Sequence, residues 1–224
     1  MGMFKPESLQ FLRDLEENND RDWFLPRKEK FETLLKQPML DAVATLNRAL
    51  AQSAPDYITD PAKSVYRVYR DTRFSKNKAP YKTHLGALLW HRRLGKDGGA
   101  ALYFHISPKE FLIAGGLYKS EPAALLAVRQ HISAEHAKLR SILKKEKLEG
   151  EKLARPPKGF HADNPAIDLI MHKDYLLESS LPAETATGPE AADMLTTRMI
   201  ALIPFVEFLN APLLLKRKRS AITP

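Results

Sequence analysis

The 224 residues contain no cysteine, which excludes disulfides, thiolate nucleophiles and cysteine-ligated zinc or iron–sulfur centres together. Neither G-x-x-x-x-G-K-[ST] nor G-x-G-x-x-G is present, so the usual phosphate cradles for nucleotides are missing. There is no H-E-x-x-H, and His131 and His136 stand five apart, a spacing that does not put two ligands on one helical face. No metal and no other cofactor is therefore expected. The absence of G-x-S-x-G leaves serine-hydrolase chemistry without support. No stretch approaches the roughly 18 apolar residues of a membrane span, and Met1 to Pro6 lacks the apolar run of a signal peptide. A cytoplasmic protein without a membrane partner is the expectation. There is also no internal repeat, heptad run or low-complexity block; oligomeric state is not legible.

The chain is long enough, and at 44% hydrophobic rich enough, for one full domain. Residues 1–215 read as a single α+β domain, and 216–224, opening on Lys216-Arg217-Lys218-Arg219, as a basic C-terminal tail. The net charge of +8 is unevenly spread: residues 1–60 hold 8 Lys/Arg against 11 Asp/Glu, residues 61–158 hold 21 against 8, and residues 159–224 hold 6 against 8. All the excess lies in the middle, where it steers acidic partners, nucleic acid being the commonest.

Residues 7–17 have the helical spacing of Leu9, Phe11, Leu12 and Leu15. A second helix is expected from Asp20 or Asp22, with Trp23, Phe24, Phe31, Leu34 and Leu35 as its apolar face, and a third from Pro38 to about Gln52. From Ser64 short Val/Tyr/Leu/Phe segments separated by Gly, Pro and Lys predict about five mainly antiparallel strands, near 64–70, 84–92, 100–107, 110–118 and 174–181. In the third of these Leu102, Phe104 and Ile106 alternate with Tyr103 and His105, one face for the core and one for function. Ser107 to Glu110 reads as a hairpin connection. Glu121-Pro122 opens a helix whose Lys- and Glu-rich far end is expected to close at Arg155-Pro156-Pro157-Lys158-Gly159. A short helix after Pro165 and a last one from about Pro189 to Leu209 complete the set of N- and C-terminal helices covering the sheet.

The most informative segment is R-V-Y-R-D-T-R-F-S-K-N-K-A-P-Y-K, Arg67 to Lys82, with six Lys/Arg and one carboxylate, Asp71. Arginine does not discharge itself by losing its proton, so this much charge faces water or meets an anion. Asp71 is able to take one arginine in a bidentate pair and offset the repulsion among Arg67, Arg70 and Arg73, a purely structural role. Alternatively Asp71 positions while Arg67, Arg73, Lys78 and Lys82 face a phosphate or carboxylate. One carboxylate does not neutralise so many cations withdrawn from water, which favours the ligand.

With Arg67, Arg70, Asp71, Arg73, Phe74, Asn77, Lys78 and Tyr81, the segment resembles the signature of a widespread, uncharacterised family of bacterial and fungal proteins, a domain of unknown function whose hallmark is R-x-x-R-D-x-R-F, then Asn/Asp-Lys, then Tyr. The likeness extends through Asn18-Asn19-x-Arg21-x-Trp23-Phe24, Gly115-Gly116-x-Tyr118 and Pro157-Lys158-Gly159. Asn164-Pro165 stands where relatives are expected to carry His-Pro, so no catalytic duty is assigned there. The resemblance implies a shared fold and a shared site and brings no activity with it.

The expected site is therefore Arg67, Arg70, Asp71, Arg73, Asn77, Lys78, Tyr81 and Lys82, binding an anionic ligand, nucleic acid or nucleotide. Tyr81, His84 and His105 are the candidates for acid, base or nucleophile if the protein is instead a metal-independent enzyme acting on a phosphorylated or otherwise anionic small molecule. A module for an acidic protein partner is the third reading.

Overall fold

The computed structural model describes residues 2–144 and 146–220; the rest of the basic tail, 221–224, lies outside the described residues. Its backbone groups into two compact units. Unit 1 comprises Met1–Leu89, Tyr103–Ile113 and Ser179–Arg198, and unit 2 comprises Trp90–Leu102, Ala114–Glu178 and Met199–Pro224.

Unit 1 begins with α1 (Pro6–Glu17), where Pro6 occupies the first turn and Leu9, Phe11, Leu12 and Leu15 are buried. Asp20 caps α2 (Arg21–Phe24) by accepting from the Trp23 N–H at 2.8 Å. Pro26 sits in a 3₁₀ turn, Leu25–Arg27, before α3 (Lys28–Phe31). A π-helical turn, Glu32–Lys36, then leads into α4 (Gln37–Ser53). Pro38 has no N–H for the Leu34 carbonyl, and the Ser8 hydroxyl donates to that oxygen instead, at 2.6 Å. The expected second helix is thus broken into short turns by Pro26 and Pro38. A further short helix, α5 (Pro61–Ser64), is capped by Asp60, which accepts from the Ala62 N–H.

Among the described residues four strands, not five, make the sheet: β1 (Leu85–Trp90), β2 (Ala101–Ile106), β3 (Glu110–Leu117) and β4 (Tyr175–Pro182), antiparallel in the order β1-β2-β3-β4. Segment 64–70 forms only isolated bridges, Val65 with Ala87 and Tyr69 with Tyr81. Its start is taken by α5, and Pro80 opposite it has no N–H to donate to a ladder. Ser107 closes the β2–β3 hairpin: its N–H donates to the Glu110 carbonyl at 2.9 Å and its hydroxyl oxygen accepts the Glu110 N–H at 3.0 Å.

Unit 2 holds α6 (Pro122–Leu143), α7 (Ile167–Ile170) and most of α8 (Ala191–Ser220). α6 ends at Leu143 rather than near Arg155, because Lys144 turns to φ +52° and leaves the helical region. The chain beyond pairs at isolated bridges, Glu149 with Leu176 and Lys152 with His172. Buried Arg129 donates to the carbonyls of Ile170 (3.0 Å) and His172 (2.8 Å), tying α6 to the end of α7.

α8 runs well past the expected Leu209, carrying Pro204 and Pro212 within it. By length and composition its Ala191–Leu215 portion meets the requirement for crossing a membrane, correcting the reading that no stretch does. Leu195, Met199, Leu202, Phe205, Val206, Leu209 and Leu213 along it are buried, the pattern of a core helix.

Candidate functional site

The Arg67–Lys82 segment closes largely upon itself. Arg73 grips Asp71 in a bidentate pair, Nε to Oδ1 at 3.0 Å and Nη2 to Oδ2 at 2.7 Å. That pair holds the Asp71 carboxyl below its usual range, through the Arg73 side chain first and its N–H next, with the charge of Arg67 adding to it. Arg70 is half-buried and donates to the Ala79 carbonyl at 3.2 Å, and Lys78 donates to the Thr72 carbonyl at 3.0 Å. Asn77 accepts the Ala79 N–H at 2.9 Å and so shapes the turn. The Phe74 ring is 95% exposed under the Arg73 guanidinium, 5.7 Å from the ring centre.

Tyr81 does not join these groups. Its ring is 2% exposed and stacks on Phe24 at 4.0 Å, with Tyr69 at 5.5 Å. Its backbone is clamped by Asn19, whose Nδ2 donates to the Tyr81 carbonyl while its Oδ1 accepts the Tyr81 N–H, at 3.1 and 3.0 Å. The structure gives Tyr81 a packing role, with its ring withdrawn from the exposed cations of the segment.

Exposed Arg67 stands instead on the rim of a groove of about 490 Å³, together with Lys28, Lys36, Tyr66 and Tyr69. Among the described residues its one acidic lining group is Glu32, which pairs with Lys36 at 2.7 Å. Tyr69 is 46% exposed, and Lys82 lies over the Tyr66 ring at 5.2 Å. That Lys28 and Lys36 share a groove with Arg67 was not legible in the sequence, because only the packing of the short helical turns brings them there.

A second polar array occupies the unit 1 portion of the sheet. The Tyr66 ring meets Tyr103 edge-on at 6.3 Å, and His84 and His105 face each other at 5.2 Å. His105 Nδ1 is 3.1 Å from the Tyr103 hydroxyl and His105 Nε2 is 3.3 Å from Glu110 Oε1. Ser180 on β4 donates to the other oxygen of Glu110 at 2.5 Å. Burial holds both histidines low, His84 down to about 4 with His105 and Lys82 contributing, and it pushes the Tyr103 phenol upward. Glu110 carried a readable signal: a two-residue turn at Pro108-Lys109 sets Ser107 opposite Glu110, and alternation then puts residues 103, 105, 107 and 110 on one face. Ser180 and Tyr66 carried none.

The depressed His84 gives a pH prediction. The unfolded chain protonates this residue near pH 6.5 and the folded chain near 4, so between those values the unfolded state binds more protons. Stability is expected to be full above about 6.5 and to decline as pH falls towards 4. His84→Gln flattens that decline in melting temperature measured against pH.

Among the described residues no group of three or more His, Asp or Glu is arranged to hold a metal ion. No curated protein and no solved structure matches the chain. The model of the family described as conserved hypothetical protein (DUF2461) matches residues 7–208, most of the chain, so the protein belongs to that family.

Proposed function

We propose that the protein binds a phosphate-bearing ligand, a single-stranded nucleic acid or a nucleotide, on the unit 1 face that runs from the exposed 67–78 segment into the groove beside Arg67. The observation that carries this reading is the composition of the groove: Lys28, Lys36 and Arg67 against one carboxylate, with the rings of Tyr66 and Tyr69 between them. Cations follow a phosphate backbone while aromatic faces stack bases, and that pairing suits unpaired strands. Exposed Phe74 beside Arg73 continues the same alternation outward. Arg70, Arg73 and Lys78 donate to acceptors within their own segment and shape it, while Arg67, Lys28 and Lys36 line the groove and Lys82 lies over the Tyr66 ring, so these four supply the contacts to ligand. Asp71 and Asn77 hold that shape.

The test is a titration with single-stranded DNA and RNA, a duplex and a nucleoside triphosphate, followed by fluorescence anisotropy or calorimetry at low salt. Single strands are expected to bind with an affinity that falls steeply between ~50 and ~200 mM salt, and Arg67→Ala is expected to flatten the log–log salt slope by about 0.7 for the phosphate contact it removes. Absence of binding to all four probes at low salt rejects the reading.

A further inference from the structure

We infer that Tyr103, His105 and Glu110 form a proton relay in which the Tyr103 hydroxyl is the catalytic group, acting on a water that attacks a phosphate ester held beside Tyr66 and Lys82. The substrate class rests on the anion reading above; the relay rests on its own geometry. A carboxylate only accepts, so the contact of His105 Nε2 with Glu110 places the imidazole proton on Nε2. Nδ1 then carries the lone pair, and the Tyr103 phenol donates to it. Ser180 holds the far oxygen of Glu110 and fixes the carboxylate. This is the arrangement of a hydroxyl, an imidazole and an orienting acid, the first two on β2 and the acid on β3, with Ser180 on β4 behind it.

The fourth strand supplies room. A Cβ at Gly86 on β1 would lie 2.6 Å from the Tyr103 hydroxyl and 3.0 Å from its ring, so the phenol occupies the space that a side chain would take. The edge of the same ring meets Tyr66, a residue of the groove wall. Lys82, over Tyr66, is placed to meet negative charge on the phosphoryl oxygens.

In the step inferred, a water O–H bond breaks and its proton passes to the Tyr103 oxygen as the phenol proton passes to His105 Nδ1. The oxygen bonds to phosphorus and the phosphorus–oxygen bond to the leaving group breaks. The leaving oxygen takes its proton back through Tyr103, and His105 returns to its neutral form. The net change is addition of water across the ester, with nothing oxidised or reduced. Tyr103 touches the reacting water, whereas His105 and Glu110 act through it as positioning residues.

The groups facing His105 set its pH dependence: Tyr103 on its own strand, Glu110 from β3, and His84, itself neighboured by Lys82, from the segment before β1. Protonated His105 cannot accept the phenol proton, so activity has an acid limb. Glu110 raises the proton affinity of His105 against the burial that lowers it, so E110Q moves that limb to lower pH as it lowers the plateau. A merely structural Glu110 would leave the limb in place.

The experiment measures hydrolysis of p-nitrophenyl phosphate and bis(p-nitrophenyl) phosphate against pH, alongside binding of both and the ¹⁵N shifts of His105. Expected are turnover by the wild type, a fall in kcat on the order of 100-fold in Y103F with KM little changed, the limb shift in E110Q, and a neutral Nε2–H imidazole at neutral pH. Binding of the esters without turnover overturns the relay and leaves the anion reading standing; no binding of esters or nucleic acid overturns both. A proton on Nδ1 at neutral pH also overturns the relay, whatever the turnover.

Discussion

Gly116→Ala is expected to cost more than about 4 kcal/mol and to leave the chain largely unfolded at physiological temperature, as read by urea titration or thermal melting. Gly116 lies in β3 at φ +145°, a backbone conformation that L side chains rarely adopt. The added Cβ would stand 1.9 Å from the Tyr175 carbonyl oxygen, 2.9 Å from its carbon and 3.0 Å from the Leu176 Cα. All three contacts are backbone, so no rotamer change relieves them, and the β3 and β4 main chains have to separate. Gly159 offers the contrast. It also has a positive φ, +88°, but nothing lies within 4 Å of its missing Cβ, so only the local strain remains.

Tyr81→Ala is expected to lower stability by ~3–5 kcal/mol, the range for deleting a buried aromatic ring. The ring fills the space between Phe24 and Tyr69, and Phe24 is in turn packed on Phe11 and Phe31 at 6.5 and 5.5 Å, so a cavity would open at the centre of one aromatic cluster. Tyr81→Phe keeps that ring and is expected to leave both folding and ligand affinity unchanged. Loss of affinity in a fully folded Tyr81→Phe protein would return Tyr81 to the site.

How far residues alone reached is clearest where the chemistry is local. α1, the start of α6 at Pro122, the Ser107–Glu110 hairpin and the alternation of β2 follow from spacing, proline and turn chemistry, and all were legible. Segment 64–70 has strand composition, yet its ladder depends on what lies opposite, and Pro80 is not visible from within it. α8 keeps its helical path through Pro204 and Pro212, which local propensity disfavours; its buried residues from Leu195 to Leu213 show that packing outweighs it.

The site divides in the same way. That Asp71 would take a single arginine was readable from charge balance, whereas the choice of Arg73 and the turning of Arg70 and Lys78 onto carbonyls depend on how the loop closes. Tyr81 looked like a site residue because it sits among cations in sequence, but Asn19, 62 positions away, fixes its backbone and sends its ring inward. Lys28 and Lys36 reach Arg67 only through the folding of the helical turns, a long-range consequence of Pro26 and Pro38.

The most direct measurement is chemical-shift mapping of the isotope-labelled protein during titration with a short single-stranded oligonucleotide at low salt. Saturable shifts confined to Lys28, Lys36, Tyr66, Arg67, Tyr69 and Lys82, weakened in Arg67→Ala, are the predicted result. Saturable shifts centred instead on the Lys144–Lys152 stretch of unit 2, or none at all, would contradict the account.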